Sequence, residues 1–130
     1  MLNPKELMLG NLVYESERSQ FPMRVVNIDE KMVYLDFDAN QGDVFDGRME
    51  DICPIPLTEE ILLKNGFKYD GIEKQFFSPH GFNYSLYIQK IGEDFYWVQG
   101  YEQIFEKPIN YVHQLQNILT IAGIDIDFKI

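Results

Sequence analysis

Hydrophobic and polar positions alternate in part through three short segments of the first third of the chain. "NLVYE" (11–15), "MRVVNIDE" (23–30) and "MVYLDF" (32–37) are rich in β-branched and aromatic residues, the pattern of half-buried strands. "SERSQFP" reads as a loop, and Asp29-Glu30-Lys31 as a tight turn between two strands. "DANQGD" (38–43) reads as another turn, and "VFDGRME" as a fourth short strand. "CPIPL" (53–57) is expected to be extended, because its prolines fix φ and push their predecessors out of the helical region. Five short strands within 57 residues suggest a small SH3-like β-barrel.

The pattern then changes period. "PLTEEILLKNGF" carries a complete set of helix signals over 58–65. Thr58 is the expected N-cap, Glu59 and Glu60 suit the positive end of the helix dipole, and Gly66 is the stop. Leu57 and Leu62 occupy the staple positions. Ile61, Leu62 and Leu63 form the side expected to dock, since two turns do not hold alone. From 67 to 107, "EKQFFS", "FNYSLYIQKI" and "DFYWVQG" predict an antiparallel sheet with turns at "PHG" and "GED". In the middle strand, Phe82, Tyr84, Leu86 and Ile88 are expected on the covered face. Asn83, Ser85, Tyr87 and Gln89 are expected on the other. A second helix is predicted over 110–122, capped by Asn110 and stopped by Gly123. A final strand, "IDIDFKI" (124–130), alternates without a break. The fold class expected is α+β, with an SH3-like barrel at 1–57 and an antiparallel sheet with two short helices at 58–130.

Three segments, "LMLGNLV" (7–13), "PIPLTEEILLKNGF" (54–67) and "YVHQLQNIL" (111–119), taken in that order, resemble a family of small uncharacterised proteins from Bacteroides-group bacteria and their phages or mobile elements. The resemblance spans nearly the whole chain and is weakest in 36–51 and in the aromatic block. It implies a cytoplasmic role in a bacterium or infected cell. It brings no activity and no assigned residue.

Charge narrows the classes of function. The formal net charge is −10. Direct nucleic-acid binders ordinarily carry a basic stripe, and no segment here is basic. The N-terminal "MLNPKELMLG" has no basic region followed by an apolar run, and no window reaches the length of a membrane span. A cytoplasmic protein without a membrane anchor is expected. The single cysteine, Cys53, fits a reducing compartment.

Candidate chemistry is sparse. "DFDANQGDVFDG" (36–47) starts like a calcium loop, with Asp36, Asp38 and Asn40 at the first, third and fifth positions. The register then fails: Gln41 stands where glycine is needed, Gly42 is one place late, and Gly47 replaces the bidentate glutamate. A strand with Leu35 and Phe37 inward explains its start better. Eleven aromatics lie between Phe67 and Tyr101, but Lys68, Lys74 and Lys90 are balanced by Asp70, Glu73, Glu93 and Asp94. No cationic groove accompanies them, so packing or an aromatic protein-binding surface is expected rather than base stacking. Cys53 has no activating neighbour in sequence. His80 lies in a turn, and two distant histidines with one cysteine make no zinc pattern. No cofactor or metal is expected.

On a helical wheel, Tyr111, Leu115, Ile118, Leu119 and Ala122 form one stripe. His113, Gln116, Asn117 and Thr120 fall opposite, on an uncharged polar face. Such a face is either solvated surface or, being free of charge in an acidic chain, a partner-binding surface. The function expected is a non-enzymatic interaction module of a phage or mobile element, with an unidentified protein partner. Two alternatives stand beside it: an acidic decoy imitating DNA toward a basic protein, and a small hydrolase without a readable motif. Calorimetry with calcium should show no micromolar binding, and a gel shift with duplex DNA should show no salt-sensitive complex.

Overall fold

Runs of three to seven alternating residues become strands of the same modest length. The computed structural model describes residues 2–18, 20–37, 44–79, 85–100 and 102–130. It is an α+β chain with two antiparallel sheets and two α-helices. Two compact units emerge: Met1–Pro56 with Tyr111–His113, and Leu57–Asn110 with Gln114–Ile130. Among the described residues, no helix is long and apolar enough to cross a membrane.

In the first unit, β1 (Leu12–Tyr14), β2 (Pro22–Ile28), β3 (Met32–Asp36) and β4 (Phe45–Arg48) form a meander in that order. The turn at Asp29 forms as expected. Its Oδ1 accepts from the Lys31 backbone at 3.2 Å, and its N–H donates to Met32 O at 2.9 Å. A β-bulge between Val25 and Asn27 shifts the register of β2 on β3. Met23, Val25, Val33 and Leu35 point inward and pack with Leu2, Leu7, Val13 and Ile52. A 3-10 turn, Met49–Asp51, follows β4. Cys53 then returns beside β1, exchanging two 2.9 Å backbone hydrogen bonds with Tyr14. Segment 38–43, with Asp38, Asn40, Gln41 and Gly42 of the calcium-like run, lies outside the described residues.

In the second unit, α1 (Glu59–Lys64) carries every end signal the sequence shows. Thr58 Oγ1 accepts from the Ile61 N–H at 3.2 Å. At the other end Gly66 takes φ +86°, the Gly66 N–H reaches Leu63 O, and the Phe67 N–H reaches Leu62 O. That is the paired closure of a Schellman motif. The docking side is narrower than expected: Leu62 is fully buried, whereas Leu63 is half exposed. The sheet runs β5 (Lys68–Asp70), β6 (Gln75–Phe77), β7 (Tyr87–Ile91), β8 (Asp94–Gln99) and β9 (Glu102–Gln103), all antiparallel neighbours. Leu86 and Ile88 are buried and Tyr87 is exposed, as the expected alternation has it, but Ser85, expected on the open face, is buried as well. Phe82, Asn83 and Tyr84 lie outside the described residues, as does His80.

Helix α2 (Val112–Ile121) ends at Gly123, φ +73°, with the Ile124 N–H on Leu119 O and the Gly123 N–H on Thr120 O. Two expectations fail nearby. Asn110 does not cap α2. Its side chain accepts from the Phe95 N–H at 3.3 Å and donates to Asp94 at 2.9 Å, so it serves the sheet instead. The final segment 124–130 is not a strand. Its alternation survives, with Ile124 and Phe128 buried and Asp125 and Asp127 exposed, but it joins no ladder. One side chain takes the ladder's place. Buried Asn65 accepts from the Lys129 N–H at 2.6 Å and donates to Lys129 O at 2.7 Å.

Leu62→Ala removes a fully buried side chain and should destabilise by about 2–4 kcal/mol, while Leu63→Ala should change stability by under about 1 kcal/mol. Denaturant melts of the two variants check this contrast. Equal losses would mean that α1 docks by a different side.

Candidate functional site

The start of α2 buries more of its circumference than its stripe of leucine and isoleucine requires. Val112, His113, Leu115, Ile118 and Leu119 are all buried. His113 is only 1% exposed, against 0% for Leu115, so its expected place on a wet face is corrected. The wheel drawn from Tyr111 gave too little weight to Val112. A stripe that includes Val112 brings His113, about 100° further round, to its margin. Burial there costs little only if the imidazole finds a partner, and Glu6 supplies one. His113 Nε2 lies 3.2 Å from Glu6 Oε2. A carboxylate can only accept, so the neutral ring carries its proton on Nε2 and leaves Nδ1 as a bare lone pair. Among the described residues Nδ1 has no hydrogen-bond partner. Tyr111 stacks on the ring at 6.1 Å between centroids. Burial lowers the His113 pKa, and the hydrogen bond and charge of Glu6 only partly oppose this.

The other residues of the expected polar face do not join His113 in a free surface. Gln116 and Asn117 are half-buried and already engaged in interactions. Thr120 is exposed, and its hydroxyl donates to Gln116 O at 3.0 Å within the helix. Cys53 is half-buried, and its thiol pKa is raised, first by burial and then by the charge of Glu17. It is therefore less of a thiolate than an ordinary cysteine. Among the described residues no three His, Cys, Asp or Glu side chains converge as metal ligands.

Each unit carries an open cavity that sequence reasoning missed. In the first, a groove of about 710 Å³ has Leu2, Met32 and Met49 among its apolar lining, with Pro4 beside them. Glu30, Lys31, Arg48 and Glu50 supply its charge, two of each sign. The turn at Asp29 places Glu30 and Lys31, and the Met49 N–H fastens to Lys31 O at 2.9 Å. The 3-10 turn Pro4–Glu6 supplies Pro4 to this groove and Glu6 to His113. Arg48 and Glu50 pair at 3.4 Å but are 71% exposed, so the pair is worth little and rearranges readily.

In the second unit, a cleft of about 560 Å³ runs between α1 residues Glu59 and Leu63 and the sheet residues Tyr69, Phe76 and Lys90. Tyr69 packs on Phe76 at 4.8 Å. Lys90 sits 3.6 Å from Glu59 and 5.7 Å from the centre of the Phe95 ring. Lys74, at φ +58°, also lines it, at the end of a turn in which Asp70 Oδ1 accepts from the Ile72 and Glu73 N–H groups. A β-branched or aromatic pattern says nothing of such cavities. The nearest signal is the pairing of a charged turn, "DEK", with the charged end of a later strand, "GRME".

The lowered pKa of His113 sets a sign for stability against pH. Above about 6.5 both states are neutral and the contribution of this group is complete. As pH falls through that value the unfolded chain takes up the proton first, so stability is lost until the folded-state pKa is passed. Denaturant midpoints between about pH 7.5 and about pH 5.5 should therefore fall more steeply for the native chain than for His113→Gln. Equal slopes would remove His113 as the titrating group.

Comparison with protein-family models, with curated proteins and with solved structures finds no match.

Proposed function

We propose that the chain is a non-enzymatic protein-interaction module whose contact surface is the groove of the first unit. The observation that carries the reading is that groove's lining: methionines with two acidic and two basic side chains. Methionine is flexible and polarizable, so Met32 and Met49 can adjust to an inserted apolar side chain. Opposite charges around them then select the flanking residues and fix orientation. Among the described residues, the two groups with shifted pKa values, His113 and Cys53, lie outside the lining of this groove. The first unit is read as an SH3-like barrel. Its meander, the 3-10 turn after β4, and the return of Cys53 beside β1 support that reading. The module is assigned to the cytoplasm of a bacterium or phage-infected cell.

Panning a displayed library of short peptides against the chain tests the groove. Enriched peptides should carry one apolar anchor between an acidic and a basic residue. Lys31→Glu and Met49→Asp should each weaken their binding by about tenfold or more, with the circular dichroism of the fold retained. Failure to enrich any peptide, or binding indifferent to both substitutions, would overturn the reading.

A further inference from the structure

Strand β4 pairs on one side only among the described residues, with β3. Its free side is defined by hydrogen-bond parity. The Met49 N–H donates to Lys31 O, so the backbone groups of Met49, Gly47 and Phe45 alternate toward β3. Those of Asp46 and Arg48 therefore point away from the sheet. Side chains alternate as well. Gly47 faces the core, where an added Cβ would come within 3.1 Å of Ile52 Cδ1. Asp46 and Arg48 share the opposite, solvated face and are both exposed. Val44 and Phe45, 49% and 43% exposed, precede them.

An edge of this kind is a template for another strand. Its charges choose which one. We infer that β4 pairs antiparallel with β4 of a second copy of this chain, about a two-fold axis through Gly47. In that register Asp46 of each copy stands directly opposite Arg48 of the other. Both are the residues whose N–H and C=O groups point outward, so each pair closes two backbone hydrogen bonds as well as a charge pair. Gly47 then meets Gly47 at the non-hydrogen-bonded position, where strands approach most closely and a side chain is least welcome. The alternative two-fold registers, centred on Asp46 or on Arg48, set like charges face to face. Among the described residues Arg48 pairs with Glu50, and both side chains are largely exposed, so that pair is weak and is readily exchanged. The contact is short, because the 3-10 turn at Met49 ends the strand, so the dimer is weak and concentration-dependent. It uses the free side of β4; Arg48 also lines the peptide groove but Asp46 does not, so the Asp46→Arg variant tests this edge apart from the groove.

Sedimentation equilibrium from about 10 µM to about 1 mM tests this. The native chain should self-associate. Asp46→Arg and Arg48→Asp should each weaken self-association by at least about tenfold, because each sets like charges opposite one another. Combining both reversals in one chain should restore it. Mixing the two single variants should give a heterodimer, since all four facing residues are then complementary. Circular dichroism checks that these exposed substitutions leave the fold intact. A native chain that stays monomeric would overturn the inference, as would association that ignores the single reversals, or a mixture that forms no heterodimer.

Discussion

Short elements leave most of their backbone polar groups at their ends, and each such group must be paired once it leaves water. This constraint shapes the chain more than any single apolar contact. It is met largely by side-chain amides and hydroxyls that act as substitute backbone. Asn65 does so most fully. Its one amide closes on both polar groups of Lys129 and also donates to Ile61 O at 2.8 Å. Asn11 accepts from the Met8 N–H at 2.7 Å, Gln75 donates to Gly100 O at 2.7 Å, and Ser78 accepts from the Leu86 N–H at 2.7 Å. Gln114 accepts from the Asn110 N–H as α2 begins. Each of these bonds replaces a ladder or helix partner that the short elements cannot provide. A buried group left without one costs roughly 1–3 kcal/mol.

Among the described residues His113 Nδ1 and Asp36 Oδ1 lack a hydrogen-bond partner, and for His113 the same reasoning shows why this is tolerated. Its ring satisfies one polar atom on Glu6 and leaves the other as a lone pair rather than an unpaired N–H. The neutral tautomer keeps the burial cost to that of a single acceptor. Protonation would add a second N–H that has no acceptor among the described residues. Burial is the first cause of the lowered pKa, and the same buried setting leaves Nδ1 without a hydrogen-bond partner among the described residues.

The amides also account for what the sequence shows and what it hides. The two ends of helix α1 were legible because their signals are local: Thr58, Gly66, Leu62 and Phe67 all act within two turns. Strands β2 and β3 were legible because a buried face forces alternation, and the turn at Asp29 because its carboxylate bonds within three residues. Asn110 and Asn65 were not legible, because an asparagine beside a helix end reads as a cap or a surface residue. Only the fold brings Phe95 to one and Lys129 to the other. The final segment shows the same limit. Alternation reports which side chains are buried, and it was right there, but it does not report whether a neighbouring strand exists. His113 was misplaced for a related reason: Glu6, which makes its burial possible, is distant in sequence.

Charge gives the cavities their character. A net charge of −10 repels acidic partners at long range, so affinity must come from places where the sign is locally balanced. The groove and the cleft are such places. Lys31 and Arg48 line one, and Lys74 and Lys90 the other, each with carboxylates close by. Beyond a Debye length of about 8 Å the acidic whole is screened at physiological salt, and only the local arrangement is felt. Complementarity at short range then decides between partners by the order of their charges rather than by net charge. Asp46 and Arg48, opposite in sign and two residues apart on the free side of β4, form one such arrangement, and it is one that matches its own reverse.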